Sequence, residues 1–467
     1  MRRTRQGRRR RRWLPVTQPA LWLALGVALS GCATVAEEAT LPYTPVARPS
    51  FLAEPVPLRA GPVARSNADL TTDFLDLTTW HEYYERLPGV SKLEEPIELR
   101  FATPGFEPYT PYLSDFVASL RQETGVDLHL APSPSPPAST VHLHFADRET
   151  FDKVTRSALC FLREGNFTLQ QGLDGLRVQQ RRGKSPPPRD MSIFIPRDVS
   201  PAEVRLCFFE EIIQTLGPAN DLFRLPESIF NDENAHSRPT PFDLLMLRVL
   251  YDARVKPGMN RVDAAEAVRA VLREVNPSGE AIASEPLYQS RFLDDQWRVA
   301  RSRKATKEQR IAAYDLALAQ VRELPSDDYR VLAFSFHRSR VEEHSPARRE
   351  QIYKDKAARY RSGRRPDELR AAIVDRRYLD ALYERKRYRD YADKAPEVLA
   401  VLARYGRELD ARRTQCGLAQ AYRRLDPDAP RTLTHLKRCL AMTRYVFGAE
   451  HALTKRWTQW VTDFKNF

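Results

Sequence analysis

Glycine is scarce in this chain, 18 of 467 residues, and cysteine and methionine number five each. No two cysteines have the C-x-x-C spacing, which excludes a zinc ribbon and a thioredoxin-like redox site. The glycines form neither a G-x-S-x-G nucleophile elbow nor a G-x-G-x-x-G dinucleotide turn. RRGKS at 181–185 imitates the end of a phosphate loop, but Val178 stands where the first glycine must be and three prolines follow. Long apolar runs are missing too: ALWLALGVALS, residues 20–30, is roughly half of what a bilayer span needs.

A surplus of one charge sign is largely missing as well. The formal charge is +13, but eight arginines crowd the first 31 residues with no acid among them, leaving about +5 for the remainder. That balance is ordinary and removes the case for a nucleic-acid partner. What the chain does have is 42% apolar and 10% aromatic residues over a length sufficient for two or three domains, so real cores are expected.

The early arginines followed by the short apolar run read as an export signal over residues 1–31. Leu29–Cys32, LSGC, resembles the lipobox of bacterial lipoproteins, in which the chain is cut before the cysteine and the new terminus is acylated; an uncleaved short anchor is the alternative. The resemblance implies lipidation at Cys32 and a partner in the membrane itself. With Ala33 rather than Asp after the cysteine, it further implies the bacterial outer membrane, facing the periplasm. Cys160, Cys207, Cys416 and Cys439 then remain, an even number in an oxidising compartment, and two disulfides are expected rather than cysteine nucleophiles.

Residues 32–69 are rich in Pro, Ala and Thr without a sustained period and read as a flexible tether. From 70 to 280 the pattern is mixed. PIELRFA (96–102), VDLHLA (126–131), TVHLHFA (140–146) and MSIFIP (191–196) read as strands, and PYLSDFVASLRQETG (111–125) as a helix stopped by Gly125. SPAE at 200–203 is a capping box, and the helix it opens should run to Leu216, with Gly217 as its stop. Val204, Phe208 and Ile212 form its apolar row, and Cys207, Glu211 and Gln214 a more polar one. From about 285 to 467 the chain turns into Arg-, Glu-, Ala- and Leu-rich helical segments, among them 307–324 and 376–405, expected to stack as an antiparallel all-helical array. Their mixed charge reads as a solvated face. Residues 416–457 resemble a tetratricopeptide hairpin of the kinesin-light-chain type, with Gly448, Glu450 and His451 after its second helix. Cys416 and Cys439 lie symmetrically about its turn at Pro427 and Asp428.

The 210–220 segment, EEIIQTLGPAN, carries the candidate chemistry. Metal-dependent peptidases place His-Glu-x-x-His on a helix because residues four apart point the same way and can share Zn²⁺ while the Glu takes a proton from bound water. On this spacing, extended as in metzincins, Glu210, Gln214 and Asn220 occupy the ligand places, Glu211 the base and Gly217 the turn. Base and turn are kept, but all three ligands are changed. SIFND (228–232) stands where the methionine turn belongs, with Phe230 at the Met place. Together with CFFEEIIQTLG and LYDARVKPGM (250–259), residues 90–275 resemble the bacterial family called domain of unknown function 2927. The resemblance implies a zincin-like α+β fold and an envelope location, and no established reaction.

A site of one carboxylate and two carboxamides is a poor zinc site. Oxygen donors suit another divalent metal, with Asp221, Asp232 and Glu233 close in sequence and His236 as a substitute imidazole. His142 and His144 on one strand, with His129 on its neighbour, are a second metal patch to be weighed against a plain edge surface. The expected whole is a lipid-anchored protein with a peptidase-derived domain that is not an enzyme, followed by helical repeats that bind an envelope protein or peptide. The alternative is an atypical metal-dependent peptidase or cell-wall hydrolase with Glu211 as base.

Overall fold

The computed structural model describes residues 46–81, 85–147, 149, 159–168, 171, 189–231, 233, 235–284, 291–302, 304–363 and 365–465. The signal segment, Cys32, residues 33–45 of the tether and Asp232 lie outside them. Residues Thr40–Phe467 cluster as one compact unit.

Its first half is mixed α+β. Helix α1 (Asn67–Thr78) starts at Ser66, whose hydroxyl accepts from Asp69 N–H, and a short ribbon of β1 (Trp80–His81) and β2 (Glu85–Arg86) follows. Strand β3 (Ile97–Phe101), helix α2 (Thr110–Thr124), β4 (Leu128–Leu130), β5 (Ser139–Ala146), β6 (Phe161–Glu164) and β7 (Asp190–Pro196) then build a five-stranded sheet in the order β4-β3-β5-β7-β6. All neighbours run parallel except the edge strand β6, which is antiparallel to β7. Alternation decides what each face meets: Val141, Leu143 and Phe145 of β5 and Met191, Ile193 and Ile195 of β7 enter one core with α2. His142, His144, Ser192 and Phe194 fall on the opposite face.

Helix α3 (Pro201–Thr215) has both hydrogen bonds of the expected capping box, Ser200 Oγ accepting from Glu203 N–H and the Glu203 carboxylate accepting from Ser200 N–H. Its stop is obligatory. Gly217 has φ +146°, and a Cβ there would meet the Ser91 carbonyl oxygen at 2.4 Å. Helices α4 (Pro241–Leu250) and α5 (Arg261–Val275) complete this half.

The second half is all helical among the described residues: α6 (Arg291–Arg301), α7 (Lys307–Gln320), α8 (Tyr329–Val341), α9 (Pro346–Ser362), α10 (Glu368–Glu384), α11 (Tyr388–Arg404), α12 (Glu408–Leu425), α13 (Pro430–Phe447) and α14 (Ala452–Lys465). The 376–405 segment therefore spans two helices, broken at residues 385–387, where Lys386 takes a left-handed φ of +59°. Each helix packs on the next, and α10 also touches α12, the pattern of a progressive stack. Close approach is built in at Gly417 of α12: a Cβ there would sit 1.9 Å from the Tyr391 hydroxyl of α11. Two disulfides are present. Cys160–Cys207 ties the loop before β6 to α3, and Cys416–Cys439 joins α12 to α13 across their turn. Among the described residues no helix is long and apolar enough to cross a membrane.

The halves share cores. Phe223 packs against Trp297 and Phe334 of the array, and Ala202 of α3 clusters with Tyr445 and Val446 of α13.

Candidate functional site

On α3 the structure buries more than the pattern suggests. Val204, Phe208 and Ile212 enter the core as expected, but Cys207 and Glu211 are buried too, while Glu210 and Gln214 are half-buried. The row is thus not a solvated helix face. Beyond the turn the remaining donor places are drawn to different partners. Asn220 Nδ2 donates to the Asp76 carbonyl of α1 at 3.0 Å. His236 Nε2 is hydrogen-bonded to the Pro226 carbonyl at 3.0 Å, which makes it a donor, and its ring lies beside Tyr405 of the array. Burial, reinforced by the nearby Arg370 charge, lowers the His236 pKa to about 4.

One carboxylate ties Ser228 and Ile229 to the start of α4. Asp243 accepts from Ser228 Oγ at 2.5 Å, from Ile229 N–H at 3.2 Å and from Thr240 N–H at 2.8 Å, and burial pushes its pKa up to about 6. Phe230, at the methionine place, is fully buried. Residues 228–230 are thus tied to the start of α4 and packed in the core.

These residues do not fit a zinc site. The ligand places carry oxygen donors, Asn220 and His236 are held by carbonyls of separate segments, and among the described residues no three His, Cys, Asp or Glu side chains gather as a metal would require. The strand histidines divide as well. β3 lies between β4 and β5, so His129 is not on the strand next to His142 and His144. His129 pairs with Asp127 at 2.7 Å, and His142 reaches Asp190 at 3.4 Å. His144 stacks on Phe194 at 4.8 Å, and burial, with His142 next, lowers its pKa to about 4.

Three cavities lie away from the Glu210–Gln214 row. The largest, about 940 Å³, is a groove in the array running from α8 to α14. Seven arginines against four carboxylates line it, together with Tyr353, Tyr383, Tyr391, Trp457 and Trp460. Arg412, on its wall, has no carboxylate partner among the described residues and hydrogen-bonds only Thr443 Oγ1; burial, then Arg413, lowers its pKa. A second cavity of about 230 Å³ lies at the junction of the halves, and a third of about 550 Å³ is walled by Pro108, Pro111, Tyr112 and Phe209 on one side and Tyr445 on the other. Glu210, Glu211 and Gln214 border none of the three.

Sequence reasoning missed the charged contacts at the junction. Glu233 sits between Arg370 of α10 (2.6 Å) and His337 of α8 (3.5 Å); burial alone would raise its pKa, but Arg370 and His337 hold it down at about 2. Arg370 also binds Asp367 and the Pro226 carbonyl. Arg205 of α3 meets Glu408 of α12 at 2.5 Å, and the Tyr445 hydroxyl donates to the same carboxylate at 2.5 Å. Glu233 was in view only as a spare metal donor, and its partner 137 residues away has no local signal.

Comparison with known proteins agrees with the sequence reading for the first half. Residues 67–270 match the family described as "Protein of unknown function (DUF2927)". No curated protein and no solved structure matches the chain.

Proposed function

We propose that this chain is an envelope lipoprotein, anchored to the bacterial outer membrane through Cys32, whose zincin-derived domain is non-catalytic and whose tetratricopeptide-like array holds an acidic segment of a protein or peptide partner. The observation that carries this reading is the placement of the cavities: the aromatic, arginine-rich groove belongs to the array, while the Glu210–Gln214 row on α3 borders none of the three. Aromatic walls supply contact area at little entropic cost, and net positive lining selects acidic chains and speeds their arrival. Gly217 and the 228–232 turn support peptidase ancestry, since both keep a peptidase's spacing after its ligands have gone.

Metal content of the purified chain, after dialysis against trace Zn²⁺, Mn²⁺ and Ca²⁺, tests the non-catalytic part. The reading expects no stoichiometric metal. One metal per chain, lost in Glu210→Ala, with a peptide hydrolysis that Glu211→Gln abolishes, would establish the hydrolase instead.

A further inference from the structure

The 230 Å³ cavity at the junction holds an excess of cationic side chains over carboxylates. Arg340, Arg370, Arg376, Arg377, Arg407 and Arg413 line it, against only Glu233 and Asp410. The two carboxylates are already engaged, Glu233 by Arg370 and Asp410 by Arg407 at 2.7 Å. Arg377 has only a distant carboxylate, Asp380 at 3.8 Å. Arg340 makes no ion pair among the described residues; it lies over the Phe336 ring at 5.8 Å and reaches the His337 ring at 3.4 Å. Burial, then the neighbouring Arg340 and Arg376 charges, depresses the Arg377 pKa, so these guanidinium groups repel one another.

Unspent donors are present as well. Arg370, 2% exposed, leaves its Nη2 without a hydrogen-bond partner despite binding Glu233, Asp367 and a carbonyl, and Arg376 Nε is likewise unpartnered. Buried guanidinium donors are costly to leave unmatched, and a planar fork of N–H groups fits the paired oxygens of a carboxylate or phosphate. We propose that this cavity is an oxyanion-binding site, taking a phosphate or carboxylate group in contact with Arg340, Arg370, Arg376 and Arg377. It shares Arg340, Arg376, Arg377 and Arg413 with the groove, so the group arrives either as a free small anion or as an acidic group of a chain lying in the groove. The inference stands apart from the proposed partner binding, because a small anion tests it alone.

The experiment is isothermal titration of the detergent-solubilised full chain, at constant ionic strength in chloride, with inorganic phosphate in one arm and hexaglutamate in the other. Saturable one-to-one binding in either arm is expected, weakened on the order of tenfold to a hundredfold by Arg377→Gln or Arg340→Gln and unchanged by Arg424→Gln on an exposed face. Phosphate binding identifies a free anion as sufficient; binding of hexaglutamate alone identifies a chain-borne carboxylate. Without ligand, Arg377→Gln should keep or raise the thermal midpoint, since it relieves repulsion, whereas a purely structural arginine would lower it. Absence of binding in both arms, or undiminished binding in both arginine variants, overturns the proposal.

Discussion

The α+β half carries the readable motif and the helical half carries the largest of the three cavities. On α3 and the turn after it the helix cap and the Gly217 stop are as the spacing expects, while at the places read as donors Glu210 and Gln214 are half-buried and Asn220 is held by a backbone carbonyl. The array has no motif that names a chemistry, yet its inner face assembles a 940 Å³ groove from residues contributed by at least five helices. A motif records what an ancestor did at one place in the chain. A groove requires residues far apart to converge, and here convergence and motif have separated.

The comparison is broken most severely at the junction. Glu233→Ala leaves Arg370 buried without one of its carboxylates, and should cost about 3–5 kcal/mol in global unfolding by denaturant, with the array affected most. Acid acts at the same point. Glu233 has a folded pKa of about 2 against 4.5 unfolded, so its contribution is complete above pH 4.5 and is lost as pH falls through 2. His236, about 4 folded against 6.5 unfolded, destabilises from pH 6.5 downward because the unfolded chain protonates first. A thermal midpoint that declines from pH 6.5 to 4, and declines less in His236→Gln, is the expected profile.

The disulfides separate the halves with smaller effects. The loops they close, 47 residues for Cys160–Cys207 and 23 for Cys416–Cys439, imply roughly 3–4 kcal/mol each. Cys207→Ala should lower protection from hydrogen exchange in α3 and β6, and Cys416→Ala in α12 and α13. Smallest is Gly417→Ala. Its Cβ must displace Tyr391, at about 1–3 kcal/mol, and should loosen α11 against α12 while leaving exchange in the β-sheet unchanged.

Much of the first half was legible because its signals are local. The capping box at Ser200 and Glu203, the stops at Gly125 and Gly217 and the period-two runs of β3, β5 and β7 each need only a few adjacent residues, and the structure has them all. That the four cysteines would form two disulfides was legible from their even number, but their connectivity was not, beyond the symmetry of Cys416 and Cys439 about their turn. Strand order was not, which is why His129 was set beside His142 across a neighbour that is not there. The Arg–Glu mixture of the array was read as a solvated face, since in sequence a groove-lining arginine and an exposed one look alike. Arg205 and Glu408, 203 residues apart, show how far the decisive contacts reach.

The central claim is that the array groove, not the α3 row, is the working surface. A photo-crosslinking amino acid placed at Gln420 in the groove, and separately at Glu210 on α3, tests it in living cells. The account predicts a discrete adduct from position 420, reduced by Arg412→Glu, and none from position 210. An adduct from position 210 alone would contradict it and return the function to the Glu210–Gln214 row of α3.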